Sequence, residues 1–192
     1  DTSHTAFVKT AEAAAYDENE GTVAQKDLIL YKYTKMQKVS EEFISYQGTN
    51  FDAWLSEALG RAEAVTENSI YTTGDGTGDP QGVLIGATSS SITLGAVDTI
   101  TAAEIAQLIG KLGAGYNVPA ESGFLMANAT KWYLKGVVNA GPYAFNSPAG
   151  GPDLFGYNAY VSDDMAPYTT ESDKPVLFGN FSFYGMVEKT GM

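Results

Sequence analysis

A glycine-dense stretch, residues 73–82 (TGDGTGDPQG), comes nearest in this 192-residue chain to a known chemical pattern. A phosphate-cradling loop of that kind would be followed by Gly-Lys-Ser/Thr, whose lysine reaches the β- and γ-phosphates; nothing of the sort follows Gly78. Asp75 and Asp79 are spaced like the opening of a calcium loop, yet the bidentate glutamate such a loop needs is absent. What remains is turn-making, with glycines supplying positive φ and Pro80 stiffening the bend. The single histidine, His4, lies near the N-terminus, where no rigid surround would hold it as a catalytic base. There is no cysteine, which removes disulfides and thiolate metal sites together. Asp163 and Asp164 are adjacent in VSDDMAP, so in extended chain they point to opposite faces; the reading is a solvated loop ahead of Pro167. Tyr143, Phe145, Phe155, Tyr157 and Tyr160 sit among glycines and prolines. They suit a ligand-stacking platform, but loop packing or a subunit interface carries more weight. The residues thus offer no catalytic set, no metal site and no cofactor site.

Charge narrows the classes further. The net charge is −12 with a pI near 4.3, a poor balance for a protein that must displace counterions from phosphates. No apolar run approaches the roughly 20 residues that cross a bilayer, and no signal peptide is visible. The start at Asp1, without an initiator methionine, points to a processed or partial chain. Of the 11 basic and 23 acidic residues, four lysines (Lys26, Lys32, Lys35, Lys38) and a single acid (Asp27) fall within residues 26–38. A basic segment on an acidic body reads either as a solvated hairpin or as a contact between unlike surfaces of identical subunits.

The elements that must position these residues follow from local patterns. Residues 1–25 are rich in Ala, Thr and Glu and read as an arm. Residues 27–39 (DLILYKYTKMQKV) alternate and are aromatic and β-branched, which predicts a strand or hairpin arm. Ser40 with Glu41 and Glu42 predicts a capped short helix that Gly48 breaks. Phe51, Trp54, Leu55, Ala58, Leu59, Ala62 and Val65 fall on one helical face, with Asn50 as cap and Gly74 near the end. That long helix needs something to lie against and should be the spine of the fold. A Ser/Thr-rich strand is expected at 92–94. A second helix is expected from a Thr101–Glu104 capping box through Ile105, Leu108, Ile109 and Leu112, with Gly113 as its C-terminal cap. Residues 123–127 (GFLMA) read as a buried strand leading into Asn128, the cap of a third helix through Trp132 and Leu134. Residues 176–188 alternate and predict a strand pair or one long strand. Helices and strands mix without a repeated βαβ period, so the fold class is α+β.

Several stretches together resemble one family, the HK97-type major capsid proteins of tailed bacteriophages. Residues 58–84 (ALGRAEAVTENSIYTTGDGTGDPQGVL) are similar to its spine helix running into a G-D-G-T-G-x-P-x-G loop, here Gly74, Asp75, Gly76, Thr77, Gly78, Pro80 and Gly82. Residues 123–132 (GFLMANATKW), Leu154-Phe155-Gly156, residues 161–165 (VSDDM) and 176–181 (VLFGNF) match in order, and residues 26–42 resemble the extended E-loop. The resemblance covers roughly residues 25–190. It implies an HK97-like capsid fold with a long spine helix, an E-loop hairpin, a peripheral domain and an axial domain. The corresponding division is an N-terminal arm remnant (1–25), E-loop (26–40), peripheral domain with spine helix and glycine-rich loop (41–95), axial domain (96–175) and return strand (176–192).

What it implies for function is a head protein, not an enzyme and without cofactors, that self-assembles as pentamers and hexamers into an icosahedral shell. The shell would enclose phage DNA without tight sequence-specific binding. Scaffold, protease and portal proteins are the implied partners, with no membrane. The implied location is the virion, after the bacterial host cytoplasm. Lys26, Lys32, Lys35 and Lys38 are the expected inter-subunit contacts; some relatives cross-link an E-loop lysine, but nothing singles one out here. Against the family's pattern the usual N-terminal arm is expected to be absent or reduced, and further strand is expected beyond Met192. Two competing readings are an encapsulin-like nanocompartment shell and a carbohydrate- or ligand-binding module built on the loops around Tyr143 to Tyr160.

Overall fold

A computed structural model describes residues 28–47, 50–92, 99–139, 154–169 and 174–187. Helix α1 spans Glu41–Gln47 and starts as its sequence predicts, the Phe43 N–H donating to Ser40 Oγ at 3.2 Å. Helix α2 spans Phe51–Thr73, 23 residues or roughly 34 Å at 1.5 Å per residue. Its end is closed by the Gly74 N–H, which donates to Ile70 O at 2.9 Å; the side chain of Asn50 makes no cap bond at its start. After the glycine-rich loop, α3 (Val83–Gly86) is a single turn packed against α2. Helix α4 (Ala102–Lys111) carries the full capping box: Thr101 Oγ1 accepts from the Glu104 N–H at 3.3 Å, and Glu104 Oε2 accepts from the Thr101 N–H at 2.7 Å. It ends with the Leu112 N–H on Ile109 O, and Gly113 is not among the residues with left-handed φ, so the expected glycine cap does not form.

Strand β1 (Ser122–Met126) passes directly into α5 (Asn128–Asn139). Strands β2 (Asn158–Val161) and β3 (Val176–Asn180) flank it in the order β2-β1-β3, β2 parallel and β3 antiparallel to β1. Phe124 therefore stands level with Ala159 on one side and Phe178 on the other. A central strand is covered on both faces, which is why GFLM is apolar without interruption. The core is Phe124 and Met126 of β1 with Ile100, Ile105, Leu134, Leu154 and Ala159. A smaller cluster of Ala127, Met165 and Leu177, against which Val83 and Leu84 pack, joins the sheet to α3. The mixed α and β architecture is the one expected.

Three expectations change. Residues 28–39 form no strand and belong to no ladder among the described residues: alternation fits a strand, but a strand also needs a partner. The alternating run at 176–188 stops being strand at Asn180, whose Oδ1 accepts the Ser182 N–H at 2.9 Å and starts a 3-10 turn, Phe181–Phe183. And α2 is a rod, but of its residues only Thr72 is buried; along its apolar stripe Phe51, Leu55, Ala58 and Ala62 are half-buried, and Val65 is 71% exposed. The arm at 1–25 and most of the strand expected at 92–94 lie outside the described residues.

Candidate functional site

The glycine-rich loop is closed at its neck by an antiparallel bridge between Asp75 and Gln81 and by the Gly82 N–H on Gly74 O at 2.9 Å. Inside it, Asp75 Oδ1 accepts the N–H groups of Thr77 (2.8 Å), Gly78 (3.1 Å) and Asp79 (3.4 Å). Those backbone donors hold the Asp75 carboxyl below its ordinary range. They also use up the amides that a phosphate cradle would aim at its ligand. The glycines serve two different needs. Only Gly76 has the expected positive φ, +76°. At Gly74 a Cβ would lie 2.1 Å from Pro80 O, and at Gly82 2.6 Å from Gly74 N, so both are there for close approach of backbone. Gly78 faces open space.

Two tyrosines fasten this loop to distant parts of the chain. Tyr33 donates its hydroxyl to Asp79 Oδ1 at 2.7 Å, and Tyr184 donates to Gln81 O at 2.9 Å. Loss of hydration and the carboxylate of Asp79 push the Tyr33 hydroxyl up to about 12; burial raises that of Tyr184. Sequence reasoning missed both, because separations of 46 and 103 residues leave no local signal.

Around the loop runs a groove of about 1950 Å³, lined by residues 28–35, the Leu59-to-Tyr71 side of α2, α3, the end of α4 and residues 177–187. Small-molecule sites run to roughly 300–1,000 Å³, so this space suits a stretch of polypeptide better. Along residues 28–35 its lining is apolar and basic: Ile29 is 73% exposed, and Lys32 and Lys35 line it together with Glu63 and Glu67 of α2. Lys32, Lys35 and Lys38 are exposed, and none is ion-paired among the described residues; Lys26 lies outside them.

The remaining candidates separate. His4, Tyr143 and Phe145 lie outside the described residues. Phe155 and Gly156 (φ +50° and +86°) make a two-residue turn between Leu154 and Tyr157 that drives Leu154 into the core and packs Phe155 and Tyr157 against it. Tyr160 instead is half exposed against Phe181, with ring centroids 6.1 Å apart, so these rings form no common platform. Asp163 is exposed, but Asp164 is not the free loop acid expected: Asn68 Nδ2 donates to it and to Ser162 Oγ, and Thr72 reaches the same buried hydroxyl at 3.2 Å. Asn68 and Thr72, one turn apart, thereby dock the 162–165 turn on the end of α2. No group of three or more His, Cys, Asp or Glu that could hold a metal ion occurs among the described residues, and none of their helices is long and apolar enough to cross a membrane.

The family model described as the phage capsid family matches residues 1–192. Two solved structures share the fold. The capsid of a native GTA (gene transfer agent) particle with C5 symmetry aligns with a TM-score of 0.58 and 23% identity over 77% of this chain and 55% of that one. The capsid of an empty GTA particle aligns with a TM-score of 0.51 and 21% identity over 74% and 52%. The chain thus spans about half the length of these solved chains. No curated protein is a significant match.

Proposed function

The chain belongs to the phage capsid family, and on that premise we propose that it is a shell subunit, working by contact between copies rather than by chemistry on a substrate. The observation that carries the reading is the family match along the whole chain, residues 1–192. The surface supports it: a 23-residue helix of which only Thr72 is buried, beside a segment with exposed Leu28, Ile29, Leu30 and Met36. Apolar surface left in solvent by a subunit's own fold is the ordinary mark of a face that another molecule covers.

In this reading α2 is the spine helix, residues 26–40 are the E-loop, residues 41–95 and 96–175 form the peripheral and axial domains, and residues 176–192 return toward the former. Copies tile as pentamers and hexamers into an icosahedral shell around phage DNA, as a component of the virion. Lys26, Lys32, Lys35 and Lys38 contact an acidic neighbour. A net charge of −12 suits a wall that must not hold the DNA it encloses. Negative-stain microscopy and sedimentation velocity of the purified chain across a concentration series test this. Closed or partial shells are expected; a single monomeric species at every concentration overturns it.

A further inference from the structure

Residues 28–39 have no ladder to hold them among the described residues, yet residues 28–35 line the groove. The bond from Tyr33 to Asp79 Oδ1 at 2.7 Å fixes them there. The two ends of that bond differ in stiffness. Asp79 belongs to a loop closed by the Asp75–Gln81 bridge, its own N–H is taken by Asp75, and Pro80 follows it. Tyr33 belongs to a segment whose neighbours Leu28, Ile29 and Leu30 each expose more than half of their side chains. A rigid catch therefore meets a loose strap. The closed strap also leaves work undone: Lys32 and Lys35 line the groove with Glu63 and Glu67 and pair with neither.

We propose that residues 28–39 are a strap which the free subunit fastens over its own groove through Tyr33 and Asp79, and that copies join only after it is unfastened. The fastening stands on the geometry above; the gating of assembly rests on the chain being a shell subunit. While closed, the strap stands across the groove from the Leu59, Ala62 and Ile70 side of α2 and obstructs a second copy's way to it. Once released, it leaves that side of α2 open and is itself free to reach the second copy.

The strap carries its own reporters, because Lys32 and Lys35 are trypsin sites whose side chains are exposed but whose backbone must come off the body to enter the protease's cleft. Cleavage after these residues is measured on the full chain below its assembly concentration, in wild type, Tyr33→Phe, Asp79→Ala and the double variant. Each single variant is expected to speed cleavage about 2- to 12-fold, the population change that corresponds to one hydrogen bond of ordinary net strength. The double variant should be no faster than the singles, and far-ultraviolet circular dichroism should not change. Light scattering should show assembly setting in at a lower protein concentration for Tyr33→Phe. Unchanged cleavage in both single variants overturns the fastening. Faster cleavage with an unchanged or higher assembly concentration overturns the gating. Failure of wild type and variants alike to assemble removes the shell reading and the gating with it, while the cleavage rates still decide whether the strap is fastened.

Discussion

At Gly74 the neck of the loop leaves no room for a side chain: a Cβ would sit 2.1 Å from the Pro80 carbonyl oxygen and 2.6 Å from that of Ile70, and both are backbone. Gly74→Ala and Gly82→Ala are therefore expected to destabilise the fold by about 1–3 kcal/mol each, as overpacking does where nothing can yield. Gly78→Ala, with nothing within 4 Å, should stay within about 0.5 kcal/mol of wild type in the same urea titration. The sequence GDGTGDPQG announces a loop, but positive φ and lack of space select glycine equally. Only the closure of residue 74 on residue 82 separates the two. Asp75 shows the same limit, since a loop aspartate reads as solvated until its three backbone donors are in view. Because they lower its folded pKa, Asp75 contributes stability that is complete above the ordinary value of 3.8 and is lost as pH falls through the lower folded value. Amide shifts of Thr77 and Gly78 followed by NMR should hold constant down to that lower pH in wild type. In Asp75→Asn, which has no carboxylate to titrate, they should show no such step.

Among the elements, the start of α4 was legible to the residue because its signals are local: Thr101 and Glu104 lie three apart and satisfy each other, whereas the helix ends at Lys111 without the glycine cap expected at Gly113. Strand β1 was legible because a central strand must be apolar throughout. Helix α2 was legible as a helix but not in what covers it, since periodicity records that a face is apolar and says nothing of whether the cover comes from the same chain. The turn at 162–165 was misread for the opposite reason: Asn68 and Ser162 are 94 positions apart, and no pattern within either segment foretells their bond. The exposed end of the α2 stripe, at Val65, makes a sharp test, because folding and assembly should part company there. Val65, at 71% exposure, loses little apolar contact within the subunit, so Val65→Asp should shift stability by no more than about 0.5 kcal/mol. The same change places a charge on a face that copies must cover, and sedimentation should show the assembled species lost. Leu134→Ala, fully buried among α5 and β1 neighbours, should do the reverse in kind and cost about 2–5 kcal/mol of folding stability. A large loss of stability in Val65→Asp would mean that α2 is covered by its own chain after all.

Over the whole molecule, charge is divided rather than merely negative: four of the 11 basic residues fall in one short segment and the acids nearly everywhere else. That division was readable from the sequence and depends on no fold, but its direction in space was not; the structure turns Lys32 and Lys35 toward a groove shared with Glu63 and Glu67. If the segment meets an acidic neighbour, Lys32→Glu combined with Lys35→Glu should raise the protein concentration at which scattering sets in. The effect should be largest at low ionic strength, because exposed charges feel each other over roughly 30 Å at 0.01 M salt and only about 3 Å at 1 M. Added negative charge also repels between copies wherever it is placed, so Lys135→Glu combined with Lys174→Glu, with the same change in net charge, is the control. A contact between unlike surfaces predicts a gap between the two pairs that is wide in dilute salt and closes in concentrated salt. A gap of constant width would assign the role to the apolar stems of the lysines instead, since those pack without regard to screening. No gap at any salt concentration would mean that the division of charge plays no part in how copies meet.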